Sequence, residues 1–137
     1  MTSIGEQLVQ RFIATLNERD FDGFEALFVD DYRQHQALAT NIGGPPAKHG
    51  VRVYYQDRVT AFPDLVVSAQ PTLATQDYVA ANFVYTGTHL DTYLGVAPTG
   101  RRVTFNSTDI MRVRGDRLAE HWGAVDLHGL LQQLTAE

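Results

Sequence analysis

Between residues 3 and 19 the apolar side chains Ile4, Leu8, Phe12, Ile13 and Leu16 recur at helical spacing among polar neighbours. One stripe of an amphipathic helix therefore faces a core. Ser3 stands at the N-cap position, and Glu6, three residues on, completes a capping box. FDGFEALF, entered through Asp20, predicts a short second helix, after which VDDYRQHQ turns extended. NIGGPPAKHG, residues 41–50, concentrates Gly and Pro and predicts a loop. In VRVYYQDRVTAFPD the stripe of Val51, Tyr54 or Tyr55, Arg58 and Phe62 predicts a third helix, which Pro63 ends because proline lacks the backbone donor.

From Leu65 onward β-branched and aromatic residues take over. Strands are predicted over residues 65–75, 78–89, 101–114 and 117–125, separated by turn signals. Helices followed by an antiparallel meander give an α+β domain, a single one spanning residues 1–137. Gly115 and Asp116 fit a two-residue type II′ turn, so Arg114 should pair with Arg117. An unbroken ladder then sets Asp109 opposite Trp122 and Phe105 opposite Asp126, all four on one face with Val103, Met111, Val113 and Leu118. His121 falls on the other face. An inward carboxylate needs a partner or a water-containing cavity, so this face predicts a pocket.

Charge narrows the partners. Eleven basic residues against sixteen acidic give a net charge of −5, and the positive charges are scattered, so a nucleic-acid partner is not expected. Arg101, Arg102, Arg112, Arg114 and Arg117 read as the solvent side of paired strands. With no cysteine, thiol chemistry and cysteine-ligated zinc are excluded. No HExxH or HxxxH spacing predicts a metal site, and neither a GxSxG elbow nor a glycine-rich phosphate loop is present. No apolar run approaches the length of a membrane span and no basic leader precedes the first helix, so a soluble, cytoplasmic chain without a membrane partner is expected.

Four blocks, DYRQHQ at 31–36, AFPDL at 61–65, GTHLDTYLGVAPTGRRVTF at 87–105 and RLAEHWGAVDLHGLLQQL at 117–134, are similar to blocks of the SnoaL-like polyketide cyclases of the nuclear-transport-factor-two-like superfamily. The resemblance implies a cone-shaped, curved antiparallel sheet wrapped around a pocket covered by the N-terminal helices. It implies an intramolecular aldol condensation on a polyketide-like small molecule, without metal or organic cofactor. It carries the general acid/base role to Asp126 and lines the cavity with His35, and it implies a homodimer through the exposed sheet face. Asp109 falls where relatives vary, some having His.

On this reading Asp126, Asp109 and His35 are the catalytic candidates, and Trp122, Phe105, Phe83, Tyr54 and His89 the substrate-binding ones. One carboxyl group in an apolar pocket can serve as base and then as acid in an aldol closure. Each candidate also has a plainer reading. Asp126 directly precedes LHGLLQQL and suits an N-cap; Asp109 could be tied to a structural donor, and His35 could be a strand-edge residue. Tyr54, Tyr55 and Arg58 suit a core or a rim. Hydrolysis or hydration in the same pocket, as in related epoxide hydrolases, and ligand binding without chemistry are the alternative functions.

Overall fold

The computed structural model describes residues 2–36 and 47–136. Helix α1 spans Ile4–Glu18 and α2 Phe21–Glu25, followed by strand β1, Phe28–Gln34. Helix α3 spans Ala47–Ala61, then β2 Val66–Ala74, β3 Tyr78–Thr88, β4 Arg102–Arg114, β5 Arg117–Val125 and α4 Leu127–Thr135. The five strands form one open sheet in the order β1-β5-β4-β3-β2. The meander β2 to β5 is antiparallel as expected, while β1 joins the free edge of β5 in parallel, making the sheet mixed. The expected loop at 41–50 ends earlier than read: Ala47–Gly50 already belong to α3, and residues 41–46 lie outside the described residues. Two prolines directly before Ala47 are as much a helix-start signal as a loop signal.

Ser3 caps α1 as expected, with the Glu6 N–H donating to Ser3 Oγ at 3.1 Å, while the Glu6 carboxylate accepts from the Ser3 hydroxyl at 3.1 Å instead of completing the box through the Ser3 backbone. Leu8, Val9, Phe12 and Leu16 supply the buried stripe of α1. At its end Arg19 is left-handed (φ 61°), and its guanidinium donates to the carbonyls of Pro63 and Leu65 at 2.9 and 2.8 Å. The end of α1 is thereby tied to the end of α3. Asn17 exchanges two hydrogen bonds with the Val67 backbone, pinning the same helix to β2. These anchors hold the helices over one sheet face, where Phe12 meets Phe24, Tyr55 and Phe83 with ring centroids 4.9–5.5 Å apart. Each such buried aromatic contributes on the order of 1.5–3 kcal/mol. Among the described residues no helix is long and apolar enough to cross a membrane.

Gly115 turns at φ 65° and Asp116 does not share its positive φ, as a type II′ turn requires. Arg114 pairs with Arg117 and Val113 with Leu118, and then the expected ladder breaks. Arg112 pairs with Glu120, so Ala119 is an extra residue on β5, a β-bulge. Leu118 and Ala119 are both buried, which two adjacent residues of a regular strand facing water on one side would not be. Beyond the bulge every partner shifts by one. Asp109 lies opposite Gly123 and Met111 opposite His121, whereas Trp122 lies opposite Ile110 on the outer face.

Candidate active site

The shift in register corrects the expected grouping. His121 is on the inner face with Asp109, and Trp122 is outside with its ring stacked on His35 at 4.9 Å. Strand alternation explains the rest of β1: Gln34 leans inward, His35 outward, and Gln36 inward again. His35 Nε2 meets Glu120 Oε2 at 2.8 Å on that outer side. The backbone N–H of Asp126 bonds Asn106 rather than a position opposite Phe105. Its exposed side chain accepts the Gly129 N–H at 2.9 Å, as the N-cap of α4. Of the expected site residues, the structure brings Asp109, Phe105, Phe83, Tyr54 and His89 into the interior and leaves His35, Trp122 and Asp126 outside it.

At the centre of the inner face His121 Nε2 lies 2.9 Å from Asp109 Oδ1, both side chains 1% exposed. The direction of each bond follows from one backbone group. The Gln36 N–H can only donate, and it donates to Gln34 Oε1 at 3.0 Å, which fixes the Gln34 amide. Gln34 Nε2 then donates to the Tyr32 hydroxyl and to His121 Nδ1, each at 3.0 Å. With Nδ1 an acceptor, the imidazole proton sits on Nε2 and points at Asp109. Ser107 Oγ donates to the same carboxylate oxygen at 3.0 Å. Asp109 Oδ1 thus takes two hydrogen bonds, whereas Oδ2, also buried, has no partner among the described residues; the same holds for Gln36 Oε1.

Gly123 makes the pair sterically admissible. A Cβ built there would stand 2.1 Å from Asp109 Oδ1 and 3.1 Å from both His121 Nε2 and Gln36 Oε1. The carboxylate of β4 occupies the volume that any other residue on β5 would fill. Gln34, Gln36, Ser107, His121 and Gly123 were not among the residues expected from the sequence. The available signal was the doublet Leu118–Ala119, two adjacent apolar residues just after a turn, which is what a bulge near a hairpin leaves in a sequence.

A second polar group sits under α3. Arg58 donates from Nη2 to the Tyr54 hydroxyl at 2.5 Å and from Nε to the Tyr93 hydroxyl at 3.1 Å. Tyr85 and Phe105 stack beneath it, 5.2 Å apart and 17° from parallel. Burial pushes the phenols of Tyr32, Tyr55 and Tyr85 up from their ordinary value, and the negative charge of Asp109 adds to the rise at all three. The tyrosines therefore stay protonated and remain hydrogen-bond donors. His89 is fully buried: its Nδ1 accepts the Thr99 N–H at 3.2 Å and lies 3.0 Å from Thr99 Oγ1, and its ring packs on Phe62. That places it as a clasp on the loop after β3, with Nε2 unpartnered among the described residues. Among the described residues no three metal-ligating side chains gather into a group.

A family model described as SnoaL-like polyketide cyclase matches residues 6–134. Among solved structures, IdmH from Streptomyces antibioticus, a proposed polyketide cyclase, is 29% identical with a TM-score of 0.82, covering 95% of this chain and 97% of its own. AclR from Streptomyces galilaeus, a proposed hydroxylase, is 26% identical with a TM-score of 0.81, covering 94% and 93%. TsrD from Streptomyces laurentii is 25% identical with a TM-score of 0.83, covering 98% and 96%. No curated protein matches.

Proposed function

Because this chain belongs to the SnoaL-like polyketide cyclase family, we propose that it closes a ring in a carbonyl-rich, polyketide-like small molecule by acid–base chemistry centred on Asp109. The observation that carries this reading is the buried Asp109–His121 pair, with one carboxylate oxygen that has no partner among the described residues. Oδ1 is held by His121 and Ser107, which fixes the orientation of the carboxylate, and Oδ2 is left to take a proton from a carbon between two carbonyls. The resulting enolate attacks a second carbonyl of the same molecule, and the protonated Asp109 returns its proton to the oxygen that becomes the hydroxyl. Base and acid are one group used twice, and nothing in the sequence of steps calls for a cofactor. His121 is a positioning residue, kept in one tautomer by Gln34. Phe105, Phe83 and Tyr54 form walls around a folded substrate, where orientation adds to the rate.

In this proposal the acid–base role rests on Asp109, and Asp126 caps α4. Two amide substitutions separate the roles. With a panel of flexible polycarbonyl esters on an aromatic frame, mass-neutral ring closure should fall by roughly 10² to 10⁴ in Asp109→Asn. In Asp126→Asn it should hold near the wild-type rate, since Asn caps a helix as well as Asp. The reverse ranking returns catalysis to Asp126. A second reading is activation of water, favoured by two buried oxygens, Asp109 Oδ2 and Gln36 Oε1, that both need a donor. It predicts oxygen-18 from labelled water in the product, which an aldol closure does not incorporate. A homodimer through the outer sheet face is part of the proposal, supported by the exposure of Ile110, Trp122, Leu73 and Tyr78 there. Sedimentation as a monomer at working concentration would remove it.

A further inference from the structure

Arg58 is the largest of the fully buried side chains. A guanidinium keeps its charge in any protein and brings five N–H donors in one plane. Among the described residues only two hydrogen bonds use them, to the hydroxyls of Tyr93 and Tyr54, and neither acceptor is an anion. Arg58 makes no ion pair among the described residues, although buried arginines are ordinarily paired. Its Cζ lies 4.7 Å from the ring centroids of Tyr54 and Tyr85, 5.1 Å from Tyr55 and 5.3 Å from Phe105. Ring faces attract a cation, but they do not accept the N–H groups that point along the guanidinium plane. Tyr54 and Tyr93, the two residues that hold Arg58, also line a cleft of about 300 Å³ together with Asp57, Thr60, Thr92 and Leu94. The cleft therefore runs up to the side chains that orient the cation.

We propose that Arg58 is the oxyanion site of this interior: its spare N–H groups hold a delocalised negative oxygen, an enolate or a carboxylate, on a flat conjugated ligand. An enolate or carboxylate conjugated with its frame is itself planar, the shape that matches the planar fork of guanidinium donors. The inference rests on the acid–base reading of Asp109 and completes its charge balance. When Asp109 takes the carbon-bound proton it becomes neutral, and the electron pair of the broken C–H bond becomes the enolate, whose oxygen lies on Arg58. When the new C–C bond forms, the negative charge passes to the second carbonyl oxygen, which takes the proton back from Asp109. The charge inside the protein is the same before and after, and a cation fixed in place lowers the energy of the state between.

Anthraquinone-2-carboxylate and anthraquinone-2-carboxamide share one shape and differ in charge, so calorimetric titration of the whole protein with each is the test. Wild type should bind the carboxylate roughly tenfold or more tightly than the amide, as a hydrogen bond to a charged group implies. Arg58→Met should lose that preference, and Arg58→Lys should keep part of it. Equal affinity of the wild type for the two probes overturns the inference, as does a preference that persists in folded Arg58→Met. Should Arg58→Met fail to fold, the wild-type ratio and Arg58→Lys still decide. The measurement involves no turnover, so its failure is separate from a failure of Asp109→Asn to lose ring closure.

Discussion

Strand β5 carries two histidine–carboxylate contacts of nearly equal length on its two faces. Inside, His121 meets Asp109 at 2.9 Å with both partners 1% exposed; outside, His35 meets Glu120 at 2.8 Å with side chains 39% and 19% exposed. Glu120 and His121 are chain neighbours, so alternation alone separates them. What differs is the medium. The outer pair sits in water beside Arg112, whose Nε donates to Glu120 at 2.8 Å, and any proton it lacks the solvent supplies. Among the described residues the inner pair has its fixed neighbours, Gln34 and Ser107, and one oxygen without a partner. Distance alone therefore does not distinguish the two pairs; burial and an unsatisfied carboxylate oxygen do.

Removing one member of each pair breaks the comparison hardest. Asp109→Ala leaves the Nε2–H of His121 buried with no acceptor, and urea unfolding should show a loss of about 3–5 kcal/mol, the range for a buried pair deprived of one partner. Glu120→Ala should shift the midpoint far less, because water replaces what the side chain gave. Equal losses would mean that the inner pair is wetter than its burial implies, and would remove the ground for treating it as special.

The two pairs also differ in how far the sequence foretold them. The parity of Val103, Phe105, Asp109, Met111 and Val113 was legible, because side chains in an unbroken strand alternate and all five are buried on one face. So were the turn at Gly115, the N-cap of Ser3 and the N-cap of Asp126, each a local matter of backbone chemistry. Across the hairpin the reading failed at one residue. Ala119 bulges, and everything beyond it changes face, so His121 was expected outside and Trp122 inside. A bulge is set by packing against neighbouring strands, which a single strand's pattern reports weakly. Gln34 was illegible for another reason. It reaches His121 only because β1 adds in parallel to the edge of β5, a pairing between residues 87 positions apart in the chain.

Gly123→Ala sharpens the comparison from the side of space. The added methyl would meet Asp109 Oδ1 at 2.1 Å, so either the carboxylate leaves His121 or the strands separate. Overpacking of this kind costs about 1–3 kcal/mol. Ring closure should fall with it, since the proposed base loses its orientation. The His35–Glu120 contact on the other face should be unaffected, as read from the imidazole resonances of His35 in an NMR titration. Wild-type turnover in Gly123→Ala would show that the tight fit at Asp109 has no catalytic consequence.

The smallest effect belongs to the outer pair and appears only as a dependence on pH. The hydrogen bond from His35 holds the Glu120 carboxyl below its ordinary value of 4.5; burial opposes it, and the hydrogen bond and charge of Arg112 add to the lowering. A carboxyl whose folded value is depressed stabilises the fold above its unfolded value, and that contribution disappears as pH falls through the folded one. The melting temperature of wild type should therefore exceed that of Glu120→Gln at pH 6, and the two curves should converge on acidification below pH 4.5. Added salt should narrow the gap at pH 6, because exposed charges are screened within about 10 Å at 0.1 M. Ring closure by Glu120→Gln should follow wild type throughout. If it drops instead, the outer face takes part in the chemistry, and the contrast between a solvated pair and a buried one no longer supports the site proposed at Asp109.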